Sequence, residues 1–349
     1  MVQRSSASVN EQPIESLSSI KPGLRYNNPT EEKLQFTKQL GVRDVIIHPL
    51  LQSYSPDENL PVSTEEEWSF EELVHLRNRI EDSGLRMAAI ENLPVGFYDE
   101  IMLGKEGRDE QIEHVQATIR NMGRAGIQIL GYNWMPSRVW RTSLTARGRG
   151  ETKSTAFELD EAKDAPHTHD GQYTESEFWD NYEYFLERAV PVAENAGVTL
   201  CLHPDDPPVE ELGGLPRLFR NFENLNRAME LVPSDHHQIE LCLGTVSGMN
   251  HDVDVLDVIR HFGDRNEICY VHFRDVEGTV PSFQEVFIDE GNYDEFAALE
   301  TLREVGFDGM VIPDHVPQLE GEREWQPSGR AYTIGYLKGM LKAQTNPSS

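Results

Sequence analysis

Eight short apolar runs, each followed by an amphipathic stretch, constrain this chain more than any other feature. They are "GLRYN" (23–27), "VRDVIIHP" (42–49), "LRMAAIEN" (85–92), "IQILGYNW" (127–134), "VTLCLHP" (198–204), "QIELCLG" (238–244), "EICYVHF" (267–273) and "GMVIPDH" (309–315). Short buried strands alternating with helices imply βα units and a parallel sheet. Helical stretches such as "TEEKLQFTKQLG", "SFEELVHLRNRIEDSG", "RDEQIEHVQATIRNMGRAG" and "SEFWDNYEYFLERAVPVAENAG" fill the gaps. Gly41, Gly84, Gly126, Gly197 and Gly306 stand where helices should stop before the next strand. No G-x-G-x-x-G follows the first run and the series reaches eight, which favours a single α/β (β/α)₈ TIM barrel over a doubly wound sheet. A chain of 349 residues fits one such barrel. The domain is expected over 21–343, with polar tails at 1–20 and 344–349. Residues 136–172 break the rhythm as a long polar loop after the fourth strand, readable as a lid over the barrel mouth or an oligomer contact. His167 and His169 within it are more easily a solvated pair than a chelate.

Charge narrows the partners. The formal net charge is −29 and the sequence pI about 4.7, which argues against nucleic acid and anionic membranes. The cations are mostly arginine. Such a surface suggests a protein adapted to high salt, where screening relieves self-repulsion; its melting temperature should then rise from dilute buffer to molar KCl. Three cysteines, Cys201, Cys242 and Cys269, suggest no disulfide framework. No apolar stretch is long enough for a membrane span or signal segment, so a cytoplasmic location is expected.

In a barrel the C-terminal strand ends converge on one face, where chemistry is done. Here those ends carry Glu91, Asn133, His203 with Asp205 and Asp206, Cys242, His272 with Arg274, and Asp314 with His315. Four successive strands thus offer His203, Cys242, His272 and Asp314. Imidazole, thiolate and carboxylate together suit Mn²⁺, Fe²⁺, Co²⁺ or Zn²⁺ rather than Mg²⁺ or Ca²⁺, and ligands spread over so much sequence imply an open catalytic site. Taken singly, Cys242 and His272 read as core residues; "HPDDPP" at a strand end is poorly explained by packing, and the coincidence of four donors favours a metal. Cys201 and Cys269 read as packing. Asp205 and Asp206 either orient a ligand or close a turn. Arg274 can clamp a substrate carboxylate or pair with Asp275 or Glu277.

Longer blocks carry a resemblance. "ENLPV…EIMLGKEGRDEQIEHVQATIRNMGRAGI", "GYNWMP…WRTS", "HPDDPP…GGLPR", "LCLGTVSGM", "YVHFRDV", "SFQEVFIDEGNYD", "PDHVP" and "GRAYTIGYLKGM" occur in order over residues 85–342. In these the chain resembles the mannonate dehydratases, metal-dependent enzymes of hexuronate breakdown within the xylose-isomerase-like barrels. The resemblance implies Mn²⁺ or Fe²⁺ on His203, Cys242, His272 and Asp314, and proton transfer by His315 and a C-terminal tyrosine, assigned to Tyr332 with Tyr336 as its neighbouring alternative. D-mannonate would become 2-dehydro-3-deoxy-D-gluconate and water, with Arg274, Glu91, Asn133 and Asp205 as substrate contacts. The expected partner is a small sugar acid, and the enzyme a homo-oligomer. Val139 departs from the family pattern, which has an aspartate before "WTRT". A sugar isomerase or epimerase of the same superfold, or a dehydratase of another aldonic acid, is the alternative; a Cys ligand argues against the isomerases, which present Glu/Asp/His/Glu sets. A binding barrel without activity is a third reading, suggested by Val139.

Overall fold

The computed structural model describes residues 20–49, 61–63 and 66–345. The tails expected at 1–20 and 344–349 lie outside these residues, except for Ile20, which is buried, and for Gln344 and Thr345, which close the last helix, Pro327–Thr345. All eight apolar runs form strands: Lys21–Tyr26, Asp44–Ile47, Arg86–Ile90, Ile129–Tyr132, Thr199–Leu202, His237–Cys242, Ile268–His272 and Met310–Ile312. They close into a parallel barrel in which the first strand pairs with both the second and the eighth.

Local chemistry sets the helix ends. Ser69 and Thr174 open Phe70–Glu81 and Glu175–Ala196 with capping boxes completed by Glu72 and Glu177, the S/T-x-x-E spacing visible in the sequence. Gly126 and Gly197 close their helices in the left-handed conformation, at φ 74° and 64°, which a side chain would oppose. Leucine, isoleucine, valine and aromatic side chains between strands and helices make one continuous core. A smaller cluster, with Ile46, Ala89, Tyr270, Met310 and Ile312, also contains Cys201 and Cys269. These two cysteines, expected only to pack, are joined as a disulfide between the fifth and seventh strands, with Cα atoms 6.2 Å apart. Strand-by-strand reading gives each cysteine's burial but not which distant thiol it faces.

Register aligns the strand ends. Cys242 lies beside His272, and His272 beside Ile312, so Asp314 follows two residues beyond the same level. The 136–172 segment is more than a loop. Ser143–Arg147 and Lys153–Glu158 form a hairpin, and the second of these strands pairs with Ser282–Glu285, which pairs with Val276–Thr279. The resulting four-stranded antiparallel sheet joins two strand-to-helix connections and pairs at Lys153 with Gln318 beyond the eighth strand. Its strands are short, polar and completed by a segment more than a hundred residues away, which is why the hairpin's own sequence did not announce it. His167 is exposed and His169 half-buried, the latter bonded to Thr168.

Candidate metal centre

His203, Cys242 and His272 each offer a ligand atom within 4.8 Å of the others, and all three are buried. The Nδ1 of His203 lies 2.6 Å from the carbonyl oxygen of Pro204. An N–H donated there leaves Nε2 with its lone pair turned toward the centre. Thr245 donates its hydroxyl to the Cys242 sulfur at 3.2 Å. Asp314 reaches the group through His272, with Oδ2 3.4 Å from Nδ1, a nitrogen that makes no hydrogen bond. The buried donors therefore fit a transition-metal cation: two imidazoles, a thiol and a carboxylate converge, and polar atoms among them are left unpartnered.

The electrostatics agree. Burial pushes the Cys242 thiol up, but the Arg274 guanidinium and hydrogen bonds with His203 and His272 overturn this and hold it well below its ordinary value. Burial would depress His203, yet the Glu240 carboxylate and Cys242 raise it to about 9. His272 is raised well above its ordinary value against the same burial by Glu91, Glu240 and Asp314. The same buried anions that raise both imidazoles would favour a divalent cation among them.

Buried charged side chains surround the donors. Arg25, at the end of the first strand, pairs with both Glu91 and Asp314. Glu91 is fully buried and also meets His48 Nδ1 at 3.2 Å and His272 Nε2 at 3.0 Å. Arg274, expected to clamp a substrate, is instead buried among internal partners. It donates to both Glu285 oxygens at 2.9 Å, to Asp206 at 2.8 Å and to Thr245 at 3.0 Å, with Nε 3.0 Å from Asp314. A Cβ on Gly244 would stand 2.7 Å from this guanidinium, so the glycine makes room for it. Arg141, from the segment expected to be a loop, donates to Asp206 at 2.7 and 2.8 Å and to Glu285 at 2.7 Å, tying the outer sheet to the barrel mouth.

The remaining expected contacts separate. Asp205 is wholly buried, accepts from the Phe219 amide at 2.6 Å and has its pKa pushed by burial to about 6. It ties the loop beyond the fifth strand to the backbone at Phe219, whose carbonyl accepts from the Asp205 amide at 3.0 Å. Asn133 is buried, with its carbonyl accepting from Tyr98 and its Oδ1 from the Met135 amide at 3.3 Å. His315 stands on the wall, its side chain 30% exposed and its Nε2 3.7 Å from Asp314. Burial above all, with help from Arg141 and Arg274, lowers its pKa to about 3, so the imidazole is neutral. Tyr332 lies elsewhere: 38% exposed on the last helix, it packs edge-on against Phe287 at 5.4 Å and stacks on Tyr336 at 6.1 Å, with Arg149 above it. Tyr336 donates to Glu295 at 2.7 Å. Val139 is 42% exposed, outside the buried donor set.

Strand-end reading missed Arg25, His48, Glu240, Arg141 and Glu285. Alternation could have supplied Glu240, two residues before Cys242 and on the same face of its strand. Nothing local marks Arg141 or Glu285, whose partners come from other loops.

A closed parallel barrel with imidazole, thiol and carboxylate side chains gathered at its C-terminal strand ends has the architecture of the xylose-isomerase-like barrels. The model of the D-mannonate dehydratase (UxuA) family matches residues 26–174 and 168–348. The chain belongs to the mannonate dehydratase family, a family of hydro-lyases. It is 30% identical over 351 residues to mannonate dehydratase 2 of Halalkalibacterium halodurans, covering 92% of this chain and 98% of that one. To the mannonate dehydratase of Thermotoga maritima it is 31% identical over 323 residues, covering 82% and 88%. Among solved structures, that of mannonate dehydratase from Streptococcus suis serotype 2 superposes with a TM-score of 0.82 at 27% identity, covering 94% and 95%. A D-psicose 3-epimerase of Clostridium cellulolyticum H10 shares the fold alone, at TM-score 0.61 and 11% identity.

Proposed function

We propose that this enzyme removes water from D-mannonate to give 2-dehydro-3-deoxy-D-gluconate, with Mn²⁺ or Fe²⁺ held by His203, Cys242, His272 and Asp314. The observation that carries the reading is the convergence of buried imidazole and thiol donors at neighbouring strand ends in a chain of this family. When bound, the cation supplies Lewis-acid stabilisation of the charge that gathers on the substrate carboxylate as C2 loses its proton. His315 accepts that proton: its imidazole is partly open to the mouth, with Nε2 3.7 Å from Asp314. The C3 hydroxyl leaves as water once protonated, and the C2 enol so formed becomes the ketone. Arg274 and Arg141, each paired with Asp206 and Glu285, keep the mouth rigid. The imidazolium of His315 returns the proton to the departing C3 hydroxyl, and Tyr332, outside the buried donor set, has the lesser part.

The test is a coupled assay for the 2-dehydro-3-deoxy product from D-mannonate and from its C2 epimer D-gluconate, with Mn²⁺ present or chelated. Turnover of D-mannonate that needs the metal and exceeds that of D-gluconate is expected. Equal turnover would move the substrate to another aldonate, and isomerised product without loss of water would move the reaction to the isomerases.

A further inference from the structure

We propose that Glu240 is a positioning residue of the metal centre, holding His272 from beneath by its Nε2 so that Nδ1 is the nitrogen turned to the cation. This rests on the reading of His272 as a ligand. Glu240 lies two residues before Cys242 on the sixth strand, so its side chain enters the barrel on the same face, one layer deeper. It is fully buried. Its Oε2 accepts from the Tyr270 hydroxyl. Its Oε1 lies 2.8 Å from His272 Nε2 and 4.0 Å from His203 Nε2 while accepting no hydrogen bond. Across the ring nitrogen, Glu91 Oε2 is hydrogen-bonded to the same Nε2 at 3.0 Å. The nitrogen is thus enclosed by two carboxylates, and Nδ1 is left unbonded, 3.4 Å from Asp314.

The surroundings are shaped for this arrangement. Gly131, on the fourth strand, would with a Cβ meet the Tyr270 hydroxyl at 2.6 Å, Glu240 Oε2 at 2.9 Å and Glu91 Cγ at 3.2 Å. A glycine there is the condition for Tyr270, Glu240 and Glu91 to share the barrel interior. Burying a carboxylate costs free energy that packing alone would not require. A fixed carboxylate behind an imidazole sets which nitrogen carries the proton and makes the other a stronger donor to a metal.

The experiment measures Mn²⁺ affinity by chelator competition, and the absorption spectrum of the Co²⁺-loaded protein, in wild type, Glu240→Ala, Glu240→Gln, Tyr270→Phe and His272→Ala. Glu240→Ala should weaken Mn²⁺ binding about 10- to 100-fold and change the Co²⁺ spectrum. Glu240→Gln, which keeps the packing and an oxygen beside Nε2, should recover most of the affinity, and Tyr270→Phe should fall between. Wild-type affinity with an unchanged Co²⁺ spectrum in Glu240→Ala would overturn the proposal. If Glu240→Ala does not fold, the same result in Tyr270→Phe decides against it. His272→Ala separates the two layers of inference. Loss of metal there but not in the Glu240 variants sinks only the role of Glu240, whereas retention of metal in His272→Ala sinks the ligand reading itself.

Discussion

The two ends of the sixth strand carry buried groups of opposite character. At its start, His237 is enclosed by tyrosines, with Nε2 2.9 Å from Tyr132 Oη and 3.3 Å from Tyr182 Oη. Burial lowers its pKa to about 4. At the other end, Cys242 faces His203, which is as deeply enclosed and yet rises to about 9 beside Glu240 and Cys242. Desolvation acts on both imidazoles in the same direction; anions reverse it at one end only. The difference teaches that the barrel mouth is built around stored negative charge, and that a fully buried histidine is by itself no sign of a ligand.

The sharpest way to break this contrast is to remove donors at the anionic end. His203→Ala or Cys242→Ser should lower kcat/KM for D-mannonate roughly a thousandfold or more, several kcal/mol of barrier, with loss of bound metal by elemental analysis. An active, metal-replete His203→Ala protein would end the account. Next in size is Arg141→Ala, which leaves Asp206 and Glu285 buried with one guanidinium fewer and should cost about 3–5 kcal/mol in denaturant unfolding. Arg149 of the same segment pairs with Asp289 at the surface, and Arg149→Ala should cost no more than about 1 kcal/mol. Equal losses would mean that the outer sheet is not anchored through Arg141.

The neutral end has its own pH signature. His237 titrates near 4 when folded and near its ordinary 6.5 when unfolded, so below 6.5 the unfolded chain takes up a proton that the folded one refuses. Its contribution is complete above pH 6.5 and lost as pH falls toward 4, roughly 3 kcal/mol in all. His237→Gln should flatten the stability profile across that window, and an unchanged slope would remove the histidine from the explanation. Smallest is the expected effect of Tyr332→Phe, since this ring is outside the donor cluster. A fall in kcat of less than about tenfold, around 1.4 kcal/mol, is expected; a loss near that of His315→Gln would mean that the rim closes and makes Tyr332 the acid.

Much of this contrast was legible in the sequence. The barrel could be read because each strand and helix announces itself within ten or twenty residues: apolar runs, S-x-x-E starts and glycine stops are local signals. His203, Cys242 and His272 could be read because barrel geometry sends strand ends to one place whatever their separation in sequence. What was not legible depends on pairing between distant segments. "WRTS" does not say that Arg141 will find Asp206 and Glu285, and the polar 143–158 stretch forms strands only with 282–285 beside it. The role expected of Arg274 met the same limit, because a guanidinium next to a ligand looks free until the carboxylates that occupy it are known. Cys201 and Cys269 were rightly placed in the interior, but their contact crosses the strand between them.

The most direct measurement is D-mannonate turnover by chelator-treated protein against added Mn²⁺, with the bound ion counted in the same samples and Cys242→Ser run in parallel. The account predicts no turnover without the ion, activity that saturates at one ion per chain, and a Cys242→Ser protein that neither holds the ion nor turns over. Undiminished turnover at negligible metal content, or full activity and metal content in Cys242→Ser, would contradict it.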